Sequence, residues 1–301
     1  MAVLSIQSHV VYGYAGNTAA VFPLQRLGRE VWAVNTVEFS NHTGYGSFRG
    51  KVLGAELAAE LVSGIEERKV LNRCEAVLSG YLGDASVGRA VIEAVKKVKK
   101  ENPNALYCCD PVMGDSGRGF YVKPDIPDMF KNELIPLSDI TCPNQFEIEY
   151  LTGVKIKNVN DALKAVNILH EAGPSVVLLT SFREKEGELC MIASKKAPDR
   201  CNSATYFPQG SAVFKTTTPE LPLGDGVAGT GDMTTAVFLS LFLETSDLEK
   251  TLSKTTSSVF GILEKSYNIS LRENIPLELK IIGAQEQFVS PSHTFKADKI
   301  S

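Results

Sequence analysis

The chain has few of the features that mark secreted, membrane or nucleic-acid-binding proteins. Its six cysteines form no CxxC pair and show no zinc-ligand spacing, which argues against a disulfide framework and a structural zinc site. The longest apolar run, 236–243, is interrupted by a serine and is far shorter than the roughly 20 residues of a membrane-spanning helix. No basic stripe is present, since the 31 basic and 35 acidic side chains are mixed along the chain. We therefore expect no nucleic-acid or membrane partner, no leader segment and a reducing, cytoplasmic setting.

What the sequence does have is a regular alternation of short β-rich runs and helical repeats. We predict strands at 3–7, 31–37, 76–79, 106–109, 139–142 and 176–180, and helices at 86–100, 160–172 (capped by Asn160), 229–244 and 248–264. Repeated strand–helix–strand units predict a mostly parallel sheet covered by helices on both faces. Residues 188–215 contain strand-like runs without a helix between them, which indicates an antiparallel edge. With no long linker visible, we predict one α/β domain over residues 1–301.

Three glycine-rich stretches are candidates for binding a nucleotide. Residues 83–90 resemble a Walker A loop but lack its lysine and the following serine or threonine, so nothing there reaches the phosphates. Residues 224–229 match GxGxxG, yet they follow a proline-rich loop rather than a first strand, and no acidic residue lies in the expected place. The third stretch, Gly229 to Asp232, opens an apolar helix, where free backbone amides and the helix dipole favour an anion.

The role of Asp232 is open on these grounds alone. An aspartate in this place is suited to take a proton from an attacking hydroxyl group. Aspartate is also a common capping residue in the first turn of a helix. The choice depends on the other residues of the chain.

Five segments, in this order, carry a resemblance to a known family. They are Ser-Ile-Gln-Ser-His (5–9), Phe-Ser-Asn-His-Thr-Gly-Tyr (39–45), Cys-Asp-Pro-Val-Met-Gly-Asp (109–115), Pro-Asn-Gln-Phe-Glu (143–147) and Gly-Thr-Gly-Asp (229–232). Together they resemble the pyridoxal kinases of the ribokinase-like superfamily, over nearly the whole chain. The resemblance implies a three-layer α/β/α fold, a homodimer, and MgATP-dependent phosphorylation of the 5′-hydroxyl group of pyridoxal, pyridoxine or pyridoxamine.

The resemblance also implies roles for the residues around the phosphates. Asp232 corresponds to the general base, and the amides of Gly229, Thr230 and Gly231 to the anion hole. The metal-binding positions correspond to Asp110, Asp115 and Glu147, whose carboxylates suit Mg²⁺. The ATP-binding positions correspond to Asp110, Asn144, Thr180, Ser181, Thr230 and Gly231, with Leu223 and Asp225 in a predicted covering loop at 216–226.

For the acceptor ring, the resemblance implies hydrogen bonds from Ser8 and Thr43 and stacking on Tyr81, with Tyr121 as a second aromatic candidate and Asp232 at the reacting hydroxyl group. His42, next to Thr43, is predicted either to contact polar ring substituents or to be solvated. Tyr12 and Phe39 are candidates for the wall of the site or for the core, and the core is favoured. One departure concerns Cys142, which stands where relatives commonly carry a threonine near a monovalent cation. A thiol is a poorer ligand for such a cation, so dependence on K⁺ or Na⁺ is in doubt.

Three other functions stay open. A hydroxymethylpyrimidine kinase or a sugar kinase shares the scaffold, but the tyrosines near the predicted site favour an aromatic acceptor over a sugar. A nucleotide-binding regulator without catalysis predicts that loss of the Asp232 carboxylate has no effect on turnover.

Overall fold

The computed structural model describes residues 1–197, 211–224 and 227–301. Its strands are β1 (Ala2–Tyr12), β2 (Glu30–Asn41), β3 (Gly50–Val52), β4 (Cys74–Ser79), β5 (Leu106–Cys109), β6 (Gly114–Asp115), β7 (Gly119–Phe120), β8 (Ile140–Thr141), β9 (Val176–Phe182), β10 (Glu188–Lys195), β11 (Ala212–Pro219) and β12 (Asp298–Lys299). Its helices are α1 (Asn17–Arg26), α2 (Gly54–Glu67), α3 (Ala85–Glu101), α4 (Ile126–Met129), α5 (Ile135–Leu137), α6 (Gln145–Thr152), α7 (Val159–Ala172), α8 (Thr230–Thr245), α9 (Leu248–Glu273) and α10 (Glu286–Val289).

The described strands form one large sheet in the order β12-β11-β10-β9-β8-β5-β4-β1-β2-β3, and β6 and β7 pair separately. The strands from β2 to β9 in this order are parallel. The antiparallel pairs are β9 with β10, β10 with β11, β11 with β12 and, at the other end, β2 with β3. The predicted parallel sheet with an antiparallel edge is therefore confirmed.

Two hydrophobic cores cover the two faces of this sheet. In β4, Val77 packs into one core with residues of α2, α3 and α7, while its neighbours Ala76 and Leu78 pack into the other with residues of α1, α8 and α9. Alternate side chains of a strand point to opposite faces, so a strand that is apolar throughout must be covered on both sides. The fold is thus a three-layer α/β/α sandwich, as the sequence predicts.

The ends of the helices follow their capping residues. The helix predicted from Asn160 instead begins at Val159, and its cap is Asn158, whose side chain accepts a hydrogen bond from the Asp161 amide. The prediction placed the cap on the wrong asparagine of a local pair, because both satisfy the same preference. A second difference concerns the predicted loop at 216–226, whose first part continues β11 as far as Pro219.

The helices of the described residues are all too short or too polar to cross a membrane. Five cysteines, Cys74, Cys108, Cys109, Cys142 and Cys190, are buried and free, and Cys201 lies outside the described residues.

Candidate active site

A cavity of about 390 Å³ opens where the parallel strands end at their carboxyl termini. All but one of the predicted site residues line it: Ser8, His42, Thr43, Tyr81, Asp110, Asp115, Tyr121, Asn144, Glu147, Thr180, Ser181, Leu223, Gly229, Thr230, Gly231 and Asp232. The exception, Asp225, lies outside the described residues. Several of these residues are far apart in the chain and meet here because the parallel strands that precede them end at the same edge of the sheet; Asp110, for example, follows β5, and Asn144 follows β8.

Asp232 lies in the first turn of α8. Its Oδ2 accepts a hydrogen bond of 2.9 Å from the amide of Gly16. Its Oδ1 is buried, and no hydrogen-bond partner for it lies among the described residues. Burial raises the pKa of Asp232, although the hydrogen bond from Gly16 lowers it in part. The side chain therefore has one oxygen held in place and one available for a ligand.

The backbone before Asp232 is shaped by two glycines. Gly229 caps α8 with φ near 80°, and a Cβ atom there would lie 2.4 Å from the carbonyl oxygen of Tyr14. No other residue type fits this place without moving the chain. A Cβ at Gly231 would meet nothing within 4 Å. Gly231 thus borders open space at the start of α8, where an anion can approach, while the Thr230 amide donates to the carbonyl of Val227 at 3.3 Å.

Asp110 follows β5 and is 4% exposed. Its Oδ2 accepts a hydrogen bond of 2.8 Å from Oγ1 of Thr235, one turn after Asp232 on α8. Burial raises the pKa of Asp110 well above its usual value, and the nearby charge of Asp232 raises it further. The two carboxyl groups therefore repel each other when both are ionised.

Glu147 forms a capping box with Asn144 at the start of α6. The Asn144 side chain accepts from the Glu147 amide at 3.0 Å, and Oε2 of Glu147 accepts from the Asn144 amide at 2.8 Å. The other oxygen accepts from the amide of Met113 at 3.1 Å. Glu147 is 3% exposed, which excludes a solvated surface acid. Burial and the charge of Asp110 raise the pKa of Glu147 well above its usual value, against the effect of these two amides.

Asp115 completes the acidic part of the cavity. Burial raises the pKa of Asp115, while Arg118, which also lines the cavity, lowers it. The side chain of Asn144 donates to the carbonyl of Gly114 at 2.9 Å and holds this turn against α6. Within the described part of the chain, no group of three or more His, Cys, Asp or Glu side chains is arranged to hold a metal ion on its own.

The other part of the cavity is neutral and partly aromatic. Ser8 is buried where the register between β1 and β2 shifts, and bulges of this kind often lie beside active sites. Phe39 is buried at the cavity, as predicted, whereas Tyr12 is 57% exposed, so its assignment to the core is wrong. The carboxyl end of β1 extends beyond the hydrophobic core, so its last residue, Tyr12, is exposed to solvent. Burial raises the pKa of Tyr81, whose ring borders the cavity.

Thr180, in β9, donates two hydrogen bonds to the carbonyl of Pro143, one from its amide at 3.0 Å and one from its Oγ1 at 3.4 Å. Cys142 is 2% exposed and lines the same region. The effect of this thiol on a monovalent cation stays a prediction.

Three residues of the site were missed in the sequence. Gly16 supplies the amide that donates to Asp232. The only sign of it in the sequence is a glycine directly before the start of a helix, α1. Thr235 was detectable, because a residue three positions after Asp232 lies on the same helix face. Arg118 gave no signal, since it lies in the turn between β6 and β7 and has no regular spacing.

Comparisons with known proteins agree with this geometry. A family model described as phosphomethylpyrimidine kinase matches residues 50–278. The chain is 46% identical over 303 residues to the pyridoxal kinase PdxY of Rubrobacter xylanophilus, covering 99% of this chain and 97% of the relative. It is 44% identical to the pyridoxal kinase PdxY of Deinococcus radiodurans, with coverage of 99% and 96%. The pyridoxal kinase from Leishmania donovani, solved with ADP and pyridoxamine, superimposes with a TM-score of 0.89 at 27% identity, and 99% of each chain is covered. The chain therefore belongs to the phosphomethylpyrimidine kinase family and, by its full-length relatives, to the pyridoxal kinases.

Proposed function

We propose that the chain transfers the γ-phosphoryl group of ATP to the 5′-hydroxymethyl oxygen of pyridoxal, and also of pyridoxine and pyridoxamine. The observation that carries this proposal is Asp232, whose buried Oδ1 has no hydrogen-bond partner among the described residues and which lies in the first turn of α8, where Gly229, Thr230 and Gly231 line the cavity. A proton acceptor and an anion site are thereby adjacent, as phosphoryl transfer to an alcohol requires.

In the proposed reaction the hydroxymethyl oxygen attacks the γ-phosphorus of ATP and its proton passes to Asp232. The new O–P bond forms as the bond from the γ-phosphorus to the bridging oxygen breaks, and ADP leaves. A buried carboxyl group with a raised pKa is a stronger base than an ordinary aspartate, so it takes this proton more readily.

The amides of Gly229, Thr230 and Gly231 are proposed to stabilise the charge that develops on the transferred group. Backbone amides at a helix start are fixed in direction and need no rearrangement during the reaction. Nothing within 4 Å occupies the space beside Gly231, which supports the approach of a phosphate.

Magnesium is proposed to bind through Asp110, Asp115 and Glu147. The donor set suits this ion, because Mg²⁺ prefers carboxylate oxygens and keeps several of its waters, so it needs few direct protein ligands. In addition to burial, the charge of Asp115 raises the pKa of Asp110, and both charges raise the pKa of Glu147, a repulsion that a divalent cation would relieve. When bound, the ion neutralises charge on the phosphates.

The acceptor ring is proposed to lie in the neutral part of the cavity. Ser8 and Thr43, which line this part, are proposed to hydrogen-bond ring atoms or substituents, and Tyr81 to contact the face of the ring. Tyr121 lies beside the carboxyl groups of the acidic part and stays the second aromatic candidate. Apolar walls with a few polar groups are what a flat heteroaromatic alcohol requires.

The nucleotide is proposed to contact Asn144, Thr180, Ser181 and Leu223, which line the cavity on the side of β8 and β9. Asp225 stays a prediction. Dependence on a monovalent cation is not proposed, because Cys142 offers a thiol where an oxygen ligand is needed.

We propose further that residues 1–301 act as one cytoplasmic domain and that two copies form a homodimer. Strands from both ends of the chain share one sheet, which supports the single domain. The exposed apolar side chains Val11, Tyr12 and Ile282 line one depression of the surface, and such a patch is typical of a protein interface.

A hydroxymethylpyrimidine kinase is the second candidate, because the matching family model carries that chemistry in its description. A coupled assay of ADP formation decides between them, with pyridoxal, pyridoxine, pyridoxamine, hydroxymethylpyrimidine and ribose as acceptors. The proposal predicts turnover with the first three. Turnover with only the last two would contradict the proposed acceptor, and turnover with none would support a regulator without catalysis.

A further inference from the structure

A histidine of the cavity is held by a carboxylate from a distant part of the chain. His42 lies in the loop between β2 and β3, and Glu278 lies in the segment between α9 and α10. Nε2 of His42 is 2.9 Å from Oε1 of Glu278, and the hydroxyl group of Tyr45 donates to the same oxygen at 2.5 Å. The His42 and Glu278 side chains are only 16% and 9% exposed, so the pair is largely shielded from water.

The surroundings of Glu278 decide which nitrogen of His42 carries hydrogen. Burial raises the pKa of Glu278, but the hydrogen bonds from His42 and Tyr45 outweigh it and lower the pKa overall. An ionised carboxylate only accepts hydrogen bonds, so Nε2 of His42 must be the donor. In the neutral imidazole this leaves Nδ1 as an acceptor.

Nδ1 of His42, a residue that lines the cavity, has no hydrogen-bond partner among the described residues. The atom is buried. His42 lines the cavity with Ser8 and Tyr81. A Cβ atom at Gly44 would lie 3.0 Å from Nδ1, so the absence of a side chain at Gly44 avoids a close contact with this nitrogen. A buried acceptor without a partner is costly, which favours a ligand that supplies the missing donor.

Glu278 itself lines a different depression and does not border the cavity. We propose that Glu278 is a positioning residue for the acceptor alcohol: it fixes His42 so that Nδ1 accepts a hydrogen bond from a hydroxyl or amine substituent of the ring. This inference rests on the proposed function, because it assumes that the ring lies beside His42. Of the two alternatives that the sequence left open for His42, the inference favours contact with the ring over solvation.

The test is a double-mutant cycle of Glu278→Ala and His42→Ala, read as the KM for the acceptor. The acceptor is whichever of pyridoxal, pyridoxine, pyridoxamine and hydroxymethylpyrimidine the wild-type protein turns over fastest. We expect each single variant to raise this KM about 10-fold, the effect of one lost hydrogen bond, with smaller changes in kcat and in the KM for ATP. We expect the double variant to be no worse than His42→Ala, because Glu278 acts through His42.

Two further variants separate positioning from a merely structural role. Glu278→Gln keeps an oxygen in place for His42 and Tyr45, so its KM should stay within about 3-fold of wild type. Glu264→Ala removes the partner of His293 in a similar pair outside the cavity, 2.8 Å apart, and should leave the acceptor KM unchanged. Thermal unfolding checks that each variant is folded.

The outcomes distinguish this inference from the proposed function. An unchanged acceptor KM in Glu278→Ala, or additive effects in the double variant, would overturn the role of Glu278. If only hydroxymethylpyrimidine were phosphorylated, the proposed acceptor would fall, while the cycle on that alcohol would still decide the role of Glu278. A wild-type protein that phosphorylates none of the four would overturn both.

Discussion

The two parts of the cavity differ in charge. The acidic part contains the carboxyl groups of Asp110, Asp115, Glu147 and Asp232, all with a raised pKa. The neutral part contains Ser8, His42, Thr43 and Tyr81. Ionised carboxylates that are buried together lose hydration and repel one another, so the acidic part lowers the stability of the fold unless a cation is bound. The neutral part needs no such ligand, and its polar groups can be satisfied by the fold or by the ring.

The largest effect is expected for Asp232→Asn, which removes the proton acceptor of the acidic part. We expect kcat to fall by about 10² to 10⁴, the usual contribution of a general base, with little change in the KM for pyridoxal. Stability should change little, because the asparagine oxygen can still accept from the Gly16 amide. Steady-state assays of ADP formation give both constants.

The matched control for this prediction is Asp247→Ala, which removes a capping aspartate of α9 that accepts from the Lys250 amide. It should cost about 1 kcal/mol of stability and leave kcat unchanged. If Asp232→Asn behaved in the same way, Asp232 would be only a helix cap.

The next effect concerns Gly16, whose amide donates to Asp232 in the acidic part and whose Cα lies against Ser8 in the neutral part. Its φ is 55°, and a Cβ there would lie 2.3 Å from the carbonyl oxygen and Oγ of Ser8. Gly16→Ala should therefore lower the free energy of unfolding by about 3 kcal/mol, through strain and overpacking together. Gly28→Ala also has a positive φ, 84°, but meets no atom within 4 Å, so it should cost only about 1 kcal/mol. Urea denaturation measures both, and equal losses would contradict the close packing of Gly16 on Ser8.

Glu147→Gln tests whether the acidic part holds the metal. We expect the Mg²⁺ concentration for half-maximal activity to rise about 10-fold to 100-fold, as for other losses of groups around a metal site. Glu149→Gln lies on the same helix but pairs with Lys155 outside the cavity, so it should leave the Mg²⁺ requirement unchanged. Activity measured against Mg²⁺ concentration decides, and an equal shift in both variants would remove Glu147 from the site.

The smallest effect is a gain of stability in Asp110→Asn without metal. Because the folded-state pKa of Asp110 is raised, the unfolded chain loses this proton first as pH rises above about 4. The free energy of unfolding then falls with rising pH up to the folded-state pKa, by linkage. The variant lacks this loss and should be about 1 kcal/mol more stable than wild type at pH 7. At pH 4 the two should be alike, and a variant that is less stable at pH 7 would contradict the repulsion.

The fold was largely predictable, because its signals are local. Strands such as β5 and helices such as α3 follow from apolar periodicity, and the structure confirms them. The end of β11 was not predictable, because residues 216–219 are three threonines and a proline without an apolar pattern, and only pairing with β10 makes them a strand. Tyr12 was misplaced for a similar reason: the extent of β1 beyond the core depends on its partners.

The site was predictable as a set of residues but not as a network. The resemblance supplied Asp232, Asp110 and Glu147, and all of them line one cavity. It could not supply the amide of Gly16 or the carboxylate of Glu278, since these contacts join segments separated by more than 200 residues. Such partners carry no spacing signal in one sequence. The assignment to the pyridoxal kinases and the kinase activity are confirmed, while the individual residue roles stay predictions.

The most direct test of the account is the position of phosphorus in the product. The protein is incubated with MgATP and pyridoxal, whose only hydroxymethyl group is the 5′ group, and the product is analysed by phosphorus NMR with proton coupling. We predict one molecule of phosphorylated product for each ADP formed, and the phosphorus of this product should couple to the two protons of the 5′-methylene group. Inorganic phosphate alone, or phosphorus coupled to another position of the ring, would contradict it.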